Sequence, residues 1–173
     1  MHNQESKSGY SKRIIRITAF FINKLAYLII GAIILINLMV YLPACFNYQT
    51  YSVISGSMEP EIKVNSLIYV QKIDPERLVS EDIITFNSNK GIVTHLVITN
   101  DLSAKQIITK GDANYQNDLR TVNYNQVIGI VKLTIPYIGY YLIFISSLSG
   151  KIIIIVLLIV SILLVDISKK YLK

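Results

Sequence analysis

Residues 25–42 (LAYLIIGAIILINLMVYL) run for 18 positions without a charge. A helix rising ~1.5 Å per residue would carry them about 27 Å, close to the ~30 Å hydrocarbon thickness of a bilayer. Asn37 is the one strongly polar residue in the run. An amide inside a bilayer is tolerated when it faces another helix, so a membrane partner subunit is an expected neighbour. A second apolar run, residues 152–165 (IIIIVLLIVSILLV), is 14 residues long and can be lengthened backwards through 140–150 with Lys151 snorkelling. It is followed by Lys169, Lys170 and Lys173. A second crossing that returns this basic tail to the cytoplasm is the expected arrangement, the alternative being a helix lying on the outer membrane surface. These runs explain why 52% of the chain is hydrophobic and 16% charged, where a soluble domain carries about a quarter charged residues. An ordinary cytosolic enzyme is excluded.

The net charge of +6 and pI near 9.3 raise the question of nucleic acid, which the placement of the charges answers. Residues 1–24 are net +4, from Lys7, Lys12, Arg13, Arg16 and Lys24 against Glu5. Residues 43–150 are net −1, and residues 151–173 are net +3. The basic excess lies in the two ends, whereas a nucleic-acid binder would carry it on the folded part, so no nucleic-acid partner is expected. Basic residues ahead of the first apolar run place the N-terminus in the cytoplasm by the positive-inside rule. The expected organisation is a basic cytoplasmic tail (1–24), a transmembrane helix (25–42), an extracytoplasmic domain (43–139), an apolar segment with a second transmembrane helix (140–165) and a basic cytoplasmic tail (166–173). The lipid bilayer is thus a partner.

Cys45 is the sole cysteine, and with two histidines it can form neither a disulfide framework nor a four-ligand zinc site, so no metal or cofactor is expected. Leu42-Pro43-Ala44-Cys45 resembles a bacterial lipoprotein cleavage box, which would make Cys45 a lipid anchor; the plainer expectation is a buried thiol at the membrane boundary.

Between the apolar runs, short β-branched stretches alternate with turn residues. Residues 65–72, 83–86, 92–99, 106–109 and 126–134 read as strands, with a turn at Asn87-Ser88-Asn89-Lys90-Gly91. The domain is therefore expected to be mainly β. Strand alternation over 92–99 puts Val93, His95, Val97 and Thr99 on one face and Ile92, Thr94, Leu96 and Ile98 on the other.

Three segments hold most of the reactive side chains. In Ser55-Gly56-Ser57-Met58-Glu59-Pro60, glycine between two serines permits a sharp bend that presents a hydroxyl, although such a run is also an ordinary loop. His95 is the single histidine of the outer domain, and imidazole suits a general base near neutral pH. In Thr109-Lys110-Gly111-Asp112-Ala113-Asn114 and the following Asp118, either carboxylate could orient an imidazole, which is the third role in a serine–histidine–acid arrangement.

Taken together, these segments resemble the type I signal peptidases of the endoplasmic-reticulum type, a branch also found in archaea and Gram-positive bacteria. The Ser55–Pro60 run resembles the nucleophile box, residues 109–114 the acidic box, and His95 stands where the other bacterial branch has lysine. The resemblance covers roughly residues 52–139. It implies a signal-peptidase-like β fold in a plasma membrane protein, and a serine endopeptidase that removes signal peptides from exported preproteins after small residues. It implies Ser57 as the acylated residue, His95 as its base, Asp118 as the partner of His95 and Asp112 as a supporting acid. The Ser57 N–H and the Ser55 hydroxyl would bind the oxyanion. Met58 and its aliphatic neighbours would line the substrate pockets or meet the membrane. Two positions depart from the family pattern: Leu96 replaces the usual arginine, and Glu81-Asp82 replaces Gly-Asp. The alternatives are a non-catalytic membrane-anchored binding module of the same fold, and a self-cleaving serine protease.

Overall fold

The computed structural model describes residues 2–89 and 91–172, with side chains from residue 12 onward. Lys90, in the expected 87–91 turn, lies outside the described residues, as do Met1 and Lys173 of the two tails. The helices are α1 (His2–Tyr41), α2 (Gly139–Ser146) and α3 (Leu148–Leu172). The chain divides into two compact units, Met1–Met39 with Ser147–Lys173, and Val40–Ser146.

In the first unit, the stretch read as a tail and the apolar run after it form one continuous helix. No proline interrupts the chain before Pro43, and Gly31 sits on an open face where a side chain would meet nothing. Two helical stretches, Lys12–Phe46 and Leu148–Leu172, are long and apolar enough to cross a membrane. Ala19, Asn23 and Ala26 are buried on α1, and Ser161, Val165 and Ser168 on α3, each set spaced four and then three residues apart. Small residues at this spacing let helix backbones approach closely. Asn23 donates to the Ser168 hydroxyl at 2.8 Å, and Ser168 in turn donates to the Val165 carbonyl. Asn37 donates to the Ile33 carbonyl of its own helix at 2.8 Å, so its amide does not by itself call for a partner helix.

The backward extension of the second apolar run is broken at Ser147. Its hydroxyl accepts the Gly150 N–H at 2.9 Å and so caps α3, while α2 belongs to the other unit. Cys45 is exposed in a short 3-10 turn, Leu42–Phe46, which corrects the expectation of a buried thiol. Pro43 opens that turn, and Asn47, in the left-handed region at φ 62°, closes it.

The second unit is built on one antiparallel sheet. Its strands are β1 (Tyr48–Ser52), β2 (Leu67–Gln71), β3 (Ile83–Ser88), β4 (Gly91–Asp101), β5 (Gln106–Lys110), β6 (Val122–Asn123) and β7 (Val127–Ile135). Their spatial order is β1-β2-β7-β3-β4-β5-β6. All five stretches read as strands are strands; β1 and the two-residue β6 are additional, because the polar and aromatic β1 lacks a clear apolar alternation and β6 is too short to show one. Side chains alternate between two clusters. Ile84 and Phe86 of β3 and Val97 of β4 join Leu78, Ile107, Val122 and Ile130, with Val93 packed against them. Ile83 and Leu96 pack instead on Met58, Ile62, Ile68 and Val70. Burying each such aliphatic side chain contributes roughly 1.5–3 kcal/mol, which makes the β3–β4 hairpin a rigid base for His95. A bulge between Val97 and Thr99 ends the alternation and leaves Thr99 exposed.

Candidate active site

The nucleophile segment lies in the connection from β1 to β2. Its ends are tied together by the Val53 N–H on the Ser66 carbonyl and the Asn65 N–H on the Val53 carbonyl. Within it, the Glu59 N–H donates to the Gly56 carbonyl at 3.1 Å and closes a turn around Ser57. Met58 and Ile62, each 1% exposed, anchor this turn in the second apolar cluster. Met58 is thus a core residue, and contact with the membrane is ruled out by its burial. Its neighbour Ser57 is left at the surface of an immobilised bend.

His95 enters from the middle of β4, paired with Ile84 of β3, and is 8% exposed. The Phe86 ring stands edge-on to the imidazole at 6.4 Å between centroids. Nε2 lies 3.2 Å from the Ser57 hydroxyl and Nδ1 lies 2.6 Å from Asp118 Oδ2. With the Nδ1 proton directed at the carboxylate, Nε2 is an acceptor for the serine hydroxyl.

Asp118 is held by two contacts from the end of β5. Its N–H donates to the Thr109 carbonyl at 2.8 Å, and the Thr109 hydroxyl donates to Oδ2 at 2.6 Å. The same carboxylate oxygen therefore receives His95 and Thr109, which fixes its direction. Asp112 has a different place: its Oδ2 accepts the Glu61 N–H at 3.4 Å, linking the acidic loop to the serine loop. The Ala113 N–H on the Ser57 carbonyl, at 3.0 Å, is a second link between those loops. Ser55 places its hydroxyl 3.5 Å from that of Ser57.

Two contributors were not singled out from the sequence. Thr109 orients Asp118, and nothing in a strand-ending threonine announces that task. Gly111 is required by crowding: a Cβ there would stand 2.6 Å from the Ser57 carbonyl oxygen and 3.1 Å from His95 Nε2. Its signal in sequence was the glycine of the Gly111-Asp112 step itself. The departures from the family pattern also have structural accounts. Leu96 packs against the Met58 cluster, an apolar contact where the family carries a cation. Glu81 has φ 74°, a conformation glycine adopts freely, so the pattern's glycine answers a backbone need that glutamate meets here under strain. Among the described residues, no group of three or more histidine, cysteine or acidic side chains is placed to hold a metal ion.

The chain is 35% identical over 118 residues to signal peptidase I W of Bacillus subtilis (strain 168), covering 61% of this chain and 62% of that protein. The chain is a homologue of the type I signal peptidases. It is also 31% identical over 106 residues to the signal peptidase complex catalytic subunit SEC11 of Lodderomyces elongisporus, and 30% identical over 106 residues to that of Candida albicans (strain WO-1). Each match covers 55% of this chain and 64% of the relative. The likeness to SEC11 supports the endoplasmic-reticulum-type branch. The chain thus spans a little under two thirds of the length of these curated signal peptidases, and no family model matches it. With its two apolar helices, this signal peptidase homologue is a membrane protein.

Proposed function

We propose that the chain is a membrane-bound serine endopeptidase that removes signal peptides from exported preproteins, cutting after small residues. The observation that carries this reading is the line of contacts from Ser57 through His95 to Asp118, at 3.2 and 2.6 Å. The Ser57 oxygen attacks the scissile carbonyl while His95 Nε2 takes its proton. Asp118, receiving the Nδ1 proton in a hydrogen bond, holds the tautomer and stabilises the imidazolium that forms. The oxyanion is met by the Ser57 N–H and by the Ser55 hydroxyl. The imidazolium then protonates the departing amine, and water, activated by the same histidine, releases the signal peptide from its ester with Ser57.

The setting is a plasma membrane, with the β domain (43–139) outside and both basic ends, 1–24 and 166–173, in the cytoplasm. In favour of two crossings, Asn23, midway along α1, bonds to Ser168 beside Lys169 near the basic end of α3. Anchoring raises the local concentration of a substrate whose apolar signal helix lies in the same bilayer. Asp112 supports the site from the loop contact it makes with Glu61. The partners are preproteins and lipid, and the name of the SEC11 relatives, a signal peptidase complex, supports a further membrane subunit.

The test is cleavage of a preprotein by detergent-solubilised wild-type, Ser57→Ala and His95→Ala proteins. Each substitution is expected to lower turnover by about 10⁴-fold or more. Undiminished processing by either variant overturns the mechanism.

A further inference from the structure

A cleft of about 1330 Å³ opens from the side of the domain where His95 and Asp118 lie. Its apolar floor includes Phe86 and Val122, 5% and 3% exposed, from β3 and β6. Its walls come largely from the loop of residues 113–121, and carry the carboxamides of Asn114, Gln116 and Asn117 together with the guanidinium of Arg120. Carboxamides can both donate to and accept from the main chain of an extended peptide, so the wall suits polypeptide more than a small apolar ligand. Arg120 is exposed and, among the described residues, makes no ion pair. The one carboxylate lining the cleft, Asp118, is already engaged by His95 and Thr109. Arg120 is therefore the one charge of the cleft without a bonded partner, opposite in sign to the hydrogen-bonded carboxylate of Asp118.

The position of the cleft relative to the imidazole assigns its occupant. In a serine peptidase the segment before the cut stays esterified to the serine, while the segment after it leaves by taking a proton from the histidine. Ser57 faces His95 Nε2, and the cleft, which Ser57 itself does not line, borders the same imidazole on its Asp118 side and continues along the Asp118 loop.

We infer that this cleft receives the first residues of the mature protein, those just after the scissile bond, and that Arg120 makes it favour acidic over basic side chains there. The inference rests on the peptidase reading. It adds a selectivity on the exported product that is separate from recognition of the signal peptide.

The experiment uses the full-length solubilised chain and three preproteins alike except at the second to fourth residues after the cut, which are glutamate, glutamine or lysine. The readout is the ratio of kcat/KM for the glutamate and lysine substrates within each enzyme, which cancels differences in folded fraction. Wild type is expected to favour glutamate by about two- to fivefold per engaged pair, the range of an exposed ion pair. Arg120→Gln brings the ratio towards one, and Arg120→Glu reverses it. The same charges placed before the cut leave the ratio unaltered by the Arg120 substitutions. A ratio identical in wild type and Arg120→Glu overturns the assignment, as does an Arg120-dependent preference that follows charges before the cut. Failure of wild type to cleave any of the three, glutamine substrate included, overturns the peptidase reading and this inference with it.

Discussion

Asp112 and Asp118 are two carboxylates of one loop with different chemical positions, and the difference is a matter of which hydrogen bond each accepts. Asp118 Oδ2 takes a 2.6 Å contact from imidazole, so Asp118→Asn would present an amide donor or a weaker acceptor to Nδ1 and favour the wrong tautomer. Turnover is expected to fall about 10³- to 10⁴-fold. Asp112 accepts one long bond from a backbone N–H, so Asp112→Asn should cost no more than about fivefold, the worth of one ordinary hydrogen bond. Equal losses from the two substitutions, measured as kcat/KM on one preprotein, would show that the roles are misassigned. Glu81 offers a test on stability alone. At φ 74°, Glu81→Gly should raise stability by up to about 1 kcal/mol in urea unfolding, and Glu81→Val should lower it. A neutral valine variant would mean that no strain is held there.

The hairpin from β4 to β5 shows how an element can be closed by one side chain. Asp101 accepts from the Ser103 hydroxyl at 2.6 Å and from the Ser103 and Ala104 N–H groups, each at 2.9 Å. These bonds, the Ser103 hydroxyl first, hold its carboxyl below the usual aspartate range. The folded value is lower than the unfolded one, so the stabilisation is fully present above the ordinary aspartate pKa of ~3.9 and is lost as pH falls through the lowered folded value. Asp101→Asn should therefore reduce the urea midpoint at neutral pH, with the gap from wild type closing under acid; a gap of constant size would refute the linkage. The strand reading depended on β-branched alternation, which is strong in β4 and weak in β1, where Tyr48, Gln49 and Thr50 sit on a half-exposed edge. Elements at an edge bury less, and so leave a fainter pattern.

At the scale of the whole molecule, the proposed orientation rests on the positions of the basic residues and the anchoring on the apolar runs. If both ends face the cytoplasm, Lys12→Cys and Lys169→Cys in a Cys45→Ser background should react with an impermeant maleimide only from the cytoplasmic side. Labelling of the two from opposite sides would exclude the two-crossing arrangement. The bond between Asn23 and Ser168 is expected to be worth about 0.6 kcal/mol, typical of polar contacts between membrane helices, so orientation rests mainly on charge.

By itself the sequence determined that this chain carries two apolar helices, that the part between them is β, and that Ser57 and His95 are the residues to watch. Composition, period and local motif are properties of neighbouring residues, and each survives being read along a line. The choice between Asp112 and Asp118, the need for glycine at position 111, the burial of Met58 and the cleft beside Arg120 were decided by tertiary structure. They depend on contacts between segments separated along the chain, 23 residues for His95 and Asp118 and 38 for Ser57 and His95, or on the path of a loop, and no spacing along the chain encodes which of two carboxylates will meet an imidazole.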